Sequence, residues 1–212
     1  MKKKVAIVDY GLGNMFSVKQ ALDLCNVDSF ITSNPNEIKS SNMLILPGVG
    51  AFPEAMNNLK EKELLEALKE FAASGRPFVG ICLGMQLMFS ESHEFGITEG
   101  LGLIDGIVKK FESKTKSKKY QVPQIQWNQI FIENYNDENY FFKFIDSGSY
   151  MYFVHSFYCM PEDKENIVCT TNYAEIKYPS IVKKENCIGI QFHPEKSGEK
   201  GLEIYHEISK LL

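Results

Sequence analysis

Val5 to Val8 is an unbroken apolar run closed by Asp9, Tyr10 and Gly11, the pattern of a strand buried on both faces, as in a parallel sheet. A helix from about Asn14 to Cys25 is expected next. Ser29 to Thr32, Met43 to Leu46 before Pro47, and Phe78 to Ile81 after Pro77 have the make-up of further strands. Between the last two, Glu54 to Ala73 carries Leu59, Leu64, Leu65, Leu68 and Phe71 at helical spacing. Strands alternating with helices predict an α/β fold, a central and mostly parallel sheet flanked by helices through right-handed crossovers.

After about Gly100 the pattern changes. Gly102 to Phe111, Ile125 to Glu133, Met151 to Tyr158, Ile167 to Thr171 and Ser180 to Ile190 are short β-type segments joined by polar turns, which predicts an additional antiparallel or mixed β region. An amphipathic helix from about Glu199 to Leu212 ends the chain. Internal repeats and low-complexity linkers are absent from the sequence, so one domain over residues 1–212 is expected.

Composition narrows the functional classes. The 212 residues hold 23 Lys and Arg against 27 Asp and Glu, a formal charge of −4, without the basic excess that binding a phosphate backbone needs. Cys25, Cys82, Cys159, Cys169 and Cys187 are odd in number, scattered and free of any C-x-x-C pair, which suggests neither a disulfide framework nor a zinc site and fits a reducing cytoplasm. Asp9 and two glycines interrupt the first apolar run, so neither a signal peptide nor a membrane span is expected there.

The chemistry concentrates at Gly80-Ile81-Cys82-Leu83-Gly84, a G-x-nucleophile-x-G turn between the strand ending at Ile81 and a helix over Leu83 to Phe89. The glycines let the chain turn sharply, and the helix start favours a thiolate. A free cysteine on its own is more often a small core residue. Far along the chain, the β run Ile188 to Phe192 ends in His193-Pro194-Glu195. If that segment stays extended, residues i and i+2 point the same way, so His193 can take the thiol proton while Glu195 orients the ring and stabilises the imidazolium. A third element, Leu46 to Phe52, puts Gly48 and Gly50 at a strand's carboxyl end, where backbone N–H groups can meet an oxyanion. A tight strand-to-helix turn explains the same glycines. All three elements fall at carboxyl ends of strands, where open α/β sheets carry their sites.

Gly80 to Gln86 and Gln191 to Ser197, together with Asp9 to Asn14, Leu46 to Phe52 and Phe153 to Ser156, resemble the class I (triad) glutamine amidotransferases, and among them the glutaminase subunits of imidazole glycerol phosphate synthase. The resemblance runs from about Val5 to Leu212. It implies a thioester nucleophile at Cys82 with His193 and Glu195 completing the triad. It also implies an oxyanion hole from Gly48, Val49, Gly50 and Leu83, and glutamine binding near Gln86, Glu94, His155 and Ser156. The partner it implies is a (β/α)8-barrel cyclase that receives ammonia, forms a heterodimer with this chain and serves histidine biosynthesis, with Trp127, Asn128 and Lys196 at the contact. Where the family commonly reads V-P-H-x-G-W-N, this chain has Val122-Pro123-Gln124-Ile125-Gln126-Trp127-Asn128. That departure keeps open a paralogue feeding another synthase, for instance one amidinating a sugar.

Two other classes compete with this reading, a non-catalytic regulatory module on the same fold and a cysteine peptidase. An intact triad argues against the first, and the second lacks any mark of an extended peptide groove. Gly11 and Gly13 lack a third glycine, which Phe16 displaces, so no nicotinamide cofactor is expected; nor is a metal, since His93 and Glu94, expected near a helix end, have no further ligand at helical spacing. Six lysines between Lys109 and Lys119 suggest a solvated loop or a docking patch for an acidic partner. Trp127, the only tryptophan, suits either the core or an interface.

Overall fold

A computed structural model of the chain describes residues 3–114, 118–133 and 145–212. Strands β1 (Val5–Val8), β3 (Met43–Gly48), β4 (Phe78–Cys82) and β14 (Cys187–Ile190) are buried at every position. Their residues alternate between two cores. Val5, Ile7, Ile45, Val79 and Ile190 pack on one face with α1 (Met15–Leu24) and α6 (Gly198–Ser209). Ala6, Val8, Leu44, Leu46 and Phe78 pack on the other with α2 (Pro35–Ser40), α3 (Phe52–Glu61) and α4 (Leu65–Ala73). A sheet buried on both faces needs apolar residues at every position, which is why these strands read as continuous runs.

With β2 (Ser29–Thr32), β12 (Ile167–Tyr173), β13 (Ile176–Lys184) and β9 (Phe131–Ile132), the main sheet among the described residues has eight strands in the order β2-β1-β3-β4-β14-β13-β12-β9. The first five run parallel and the last three antiparallel. A second sheet joins β11 (Phe157–Pro161), β7 (Ile104–Lys110), β5 (Phe89–Ser92) and β6 (Thr98–Glu99), and β8 (Gln124–Gln129) pairs with β10 (Tyr150–His155). The expected mixed β region is therefore present. No described helix is long and apolar enough to cross a membrane.

Three expectations need correction. Glu54 to Ala73 is two helices, because the chain breaks after Glu61 and Glu63 adopts φ 55°; Leu64 and Leu65 begin a new apolar face. The helix after Cys82, α5, ends at Leu87, and His93 and Glu94 follow the strand β5 instead of closing a helix. Hydrophobic periodicity also fails to reveal α2, a six-residue helix with a single buried residue, Ile38. Its start is nonetheless marked by Asn34, whose side chain caps the Asn36 N–H, and by Pro35 in the first turn.

Candidate active site

The carboxyl ends of β3, β4 and β14 lie side by side, since Gly48 is in register with Cys82 and Ile190 with Ile81. Cys82 therefore neighbours the Val49–Gly50 loop on one side and the segment leading to His193 on the other. Its backbone has φ 55° and ψ −109°, a conformation that costs a non-glycine residue about 1–3 kcal/mol and persists only where surroundings enforce it. Packing enforces it here. A Cβ on Gly84 would lie 1.8 Å from the Leu46 carbonyl oxygen, and one on Gly80 would lie 2.6 Å from the Gly84 carbonyl oxygen. Both glycines let α5 press against β3 and β4 with the cysteine at the bend.

α5 has only five residues, so the macrodipole contribution expected for the sulfur is limited to the first-turn N–H groups. The sulfur lies 3.9 Å from the Val154 carbonyl oxygen and 3.8 Å from Gln191 Nε2. His193 is buried, and its Nδ1 pairs with Glu195 Oε1 at 2.7 Å. The route to this pairing differs from the extended one expected. His193 is extended, but Pro194–Lys196 forms a 3-10 turn that swings Glu195 back beneath the ring, held by the Lys196 N–H on the His193 carbonyl at 3.0 Å. Tyr205 of α6 adds a weak contact to Glu195 Oε2 at 3.5 Å.

His193 Nε2 is buried without a hydrogen-bond partner among the described residues. Burial pulls this imidazole down, yet the charges of a Cys82 thiolate and of Glu195 override it and hold it up to about 10.

A cavity of about 240 Å³ opens over the sulfur, lined by Val49, Gly50, Cys82, Leu83, Gln86, Glu94, Pro123 and Val154 to Phe157. That is below the ~300–1,000 Å³ of pockets for drug-sized ligands, a size for one amino acid and not for a peptide. Of the residues expected at the site, Val49, Gly50, Leu83, Gln86, Glu94, His155 and Ser156 line it with Cys82, Gly48 lies in register with Cys82, and Glu195 reaches the site through His193, but several are used differently from what was expected. Gln86 spends both amide hydrogens inside the protein, on the Phe157 carbonyl at 3.1 Å and on Gln191 Oε1 at 3.2 Å, so only its Oε1 is left to accept from a ligand. Glu94 Oε2 accepts the Phe52 N–H at 2.8 Å, tying the segment after β5 to the start of α3, where a carboxylate is favoured. The Val49 and Gly50 N–H groups make no hydrogen bond to a described residue, and the Leu83 N–H opens α5, where no intrahelical acceptor exists. Val49, Gly50 and Leu83 all border the cavity.

His155 is a wall of the pocket and stays neutral. Burial lowers its imidazole, its bond to the Phe157 carbonyl opposes that, and the His193 charge adds to the lowering, for a net value of about 4. Nδ1 therefore donates to the Phe157 carbonyl at 2.7 Å, and Nε2 meets the Tyr178 hydroxyl at 3.3 Å. Ser156 uses its carbonyl on the Phe111 N–H at 2.9 Å. Gln124, the first departure from the family pattern, is fully buried and accepts from the Tyr178 hydroxyl at 3.0 Å. It faces the core behind His155, whereas Gln126 is exposed. Sequence reading passed over Gln191 and Tyr178; a glutamine inside the apolar run Ile188 to Phe192 was the available signal.

Trp127 is half exposed, edge-on to Tyr152 at 6.1 Å, beside exposed Ile125 on the same strand, so the core reading of this tryptophan fails. Asn128 donates to the Asn172 carbonyl at 2.9 Å, and Lys196, the last residue of the Pro194–Lys196 turn, is exposed. Of the lysine run, Lys109 and Lys110 lie on β7 and Lys114, Lys118 and Lys119 are exposed, while Lys116 falls outside the described residues. His93 is exposed and pairs with Glu91 at 2.9 Å.

The class of protein follows from comparison as well as from geometry. A model of the glutamine amidotransferase class-I family matches residues 6–207, and the chain belongs to that family. Among curated proteins it is 43% identical over 206 residues to "imidazole glycerol phosphate synthase subunit HisH" of Sulfurimonas denitrificans, covering 97% of each chain. It is 41% identical to the protein of that name from Moorella thermoacetica, covering 99% of this chain and 96% of the other. Among solved structures, PurLQS from Thermotoga maritima superposes with a TM-score of 0.76 at 17% identity over 99% of each chain. A glutamine amidotransferase from Thermotoga maritima gives 0.63 at 16% identity, covering 99% of this chain and 85% of that one. At that identity the structures speak for the fold alone.

Proposed function

We propose that this chain is the glutaminase subunit of an imidazole glycerol phosphate synthase, one cytoplasmic domain that hydrolyses glutamine to glutamate and ammonia for a cyclase partner. The observation that carries this reading is Cys82, held at φ 55° beside the buried His193–Glu195 pair at the floor of an amino-acid-sized cavity. The near-full-length similarity to HisH subunits supports the choice of pathway.

In the proposed reaction the Cys82 thiolate attacks the side-chain amide carbon, and the N–H groups of Val49, Gly50 and Leu83 receive the negative oxygen. His193, as imidazolium, gives its proton to the departing ammonia, leaving a glutamyl thioester on Cys82. The neutral ring then takes a proton from water as water attacks the thioester, which releases glutamate and restores the starting pair. Glu195 keeps Nε2 facing the reaction, and Gln86, Glu94, His155 and Ser156 form the pocket for the amino-acid end.

Ammonia leaves toward a (β/α)8-barrel cyclase bound as a heterodimer on the face bearing Ile125, Trp127, Asn128 and Lys196. Because ammonia without an acceptor wastes glutamine, the loop Pro47 to Gly50 is set for catalysis only when the loaded cyclase docks, and the chain alone turns over slowly. A reactive glutamine analogue should label Cys82, glutamine should compete, and Cys82→Ser should abolish the label. Unhindered labelling of some other cysteine would contradict the assignment.

A further inference from the structure

We propose that Gln191 is a further catalytic residue, whose side-chain N–H donates to the Cys82 sulfur and holds it as the attacking thiolate. The proposal rests on the reading of Cys82 as nucleophile. Which end of the Gln191 amide faces the sulfur follows from a chain of obligate partners. The Phe157 carbonyl can only accept, and it meets His155 Nδ1 at 2.7 Å and Gln86 at 3.1 Å, so the Gln86 group turned toward it is the NH2. The second hydrogen of that NH2 points to Gln191 at 3.2 Å, which makes the Gln191 atom there its Oε1. The remaining end, Nε2, then faces the sulfur at 3.8 Å.

Gln191 is fully buried, its backbone N–H is fixed on the Ser180 carbonyl at 2.9 Å, and it lies two residues before His193 on the same segment. A carboxamide locked at one end and donating at the other stabilises a thiolate more than a thiol, since hydrogen bonds to charged acceptors are the stronger. It supplies this without a second positive charge beside the His193 imidazolium. The same arrangement accounts for Gln86 being buried with its NH2 turned away from the pocket.

The test is the pH dependence of Cys82 alkylation by iodoacetamide, followed on the Cys82 peptide by mass spectrometry in the full-length chain. Gln191→Glu keeps an acceptor for Gln86 and points a carboxylate oxygen at the sulfur; Gln191→Met keeps volume and removes the donor. Both should move the alkylation midpoint up by about one pH unit, more for Gln191→Glu, with circular dichroism unchanged. Folded variants with an unmoved midpoint overturn the proposal while leaving Cys82 the nucleophile; a parent chain whose Cys82 never reacts overturns the nucleophile reading itself. If both variants fail to fold, the parent decides by nuclear magnetic resonance. The Gln191 side-chain NH2 signals should shift at the Cys82 midpoint and again on alkylation, and signals indifferent to both overturn the proposal.

Discussion

Glu195→Gln preserves side-chain volume and removes the charge beneath His193. In the parent the carboxylate and imidazole are 2.7 Å apart with side chains 1% and 3% exposed, so solvent screens the pair little. A hydrogen bond to a charged group is worth about 1.5–3 kcal/mol, and each ~1.4 kcal/mol lost from the transition state is about tenfold in rate. Glutaminase kcat should therefore fall about 10- to 150-fold. The pH dependence has a definite sign. Burial draws the imidazole down, and Cys82 and Glu195 together lift it from 6.5 to about 10. A group raised in this way adds stability that is complete below about pH 6.5 and is lost as pH climbs through about 10. Unfolding by denaturant should accordingly show the largest difference between variant and parent near neutral pH, fading above about pH 10. The alkaline limb of kcat/KM should move to lower pH in the variant. Glutamate release across this range, measured in the complex with the ligand-loaded cyclase, reads the rate directly. A variant within about threefold of the parent at every pH would refute the role given to Glu195.

Gly84→Ala places a Cβ 1.8 Å from the Leu46 carbonyl oxygen, and overpacking of about 1–3 kcal/mol should lower Tm by roughly 2–12 °C; an unchanged melting curve would show that α5 can shift freely. Glu94→Gln removes the carboxylate that accepts from the Phe52 N–H, so it should raise the KM for glutamine more than it lowers kcat and cost about 0.3–2 kcal/mol of stability. Steady-state kinetics with loss in kcat alone would contradict a binding role. Trp127→Ala, at a half-exposed position, should leave the chain's own stability nearly unchanged and weaken calorimetric binding of the cyclase by about 2 kcal/mol or more. Unaltered binding would remove Trp127 from the docking face.

How much was legible depended on the physical signal each feature leaves in sequence. The parallel strands stood out because burial on both faces demands unbroken apolar runs such as Val5–Val8, and the elbow because only glycine tolerates the approach of α5 at Gly80 and Gly84. Short elements were hidden: α2 buries one residue, and β5 was absorbed into the expected helix because Phe89 continues its apolar pattern. The His193–Glu195 pair was found by composition but with the wrong backbone, since Pro194 permits either an extended segment or the 3-10 turn that forms. Tertiary hydrogen bonding left little local trace beyond a glutamine, Gln191, inside an apolar run. The orientation of Gln86 is decided by Phe157 and Gln191, 71 and 105 residues away, and the tie from Glu94 to Phe52 spans 42 residues.

The most direct test of the proposed glutaminase role is glutamate release from glutamine by the purified chain, first alone and then with the histidine-pathway cyclase carrying its ribotide ligand. Slow release by the chain alone and strong stimulation by the loaded cyclase are expected. Rapid release by the chain alone would contradict the docking-dependent loop, and no release in the presence of the loaded cyclase would contradict the assignment to that synthase.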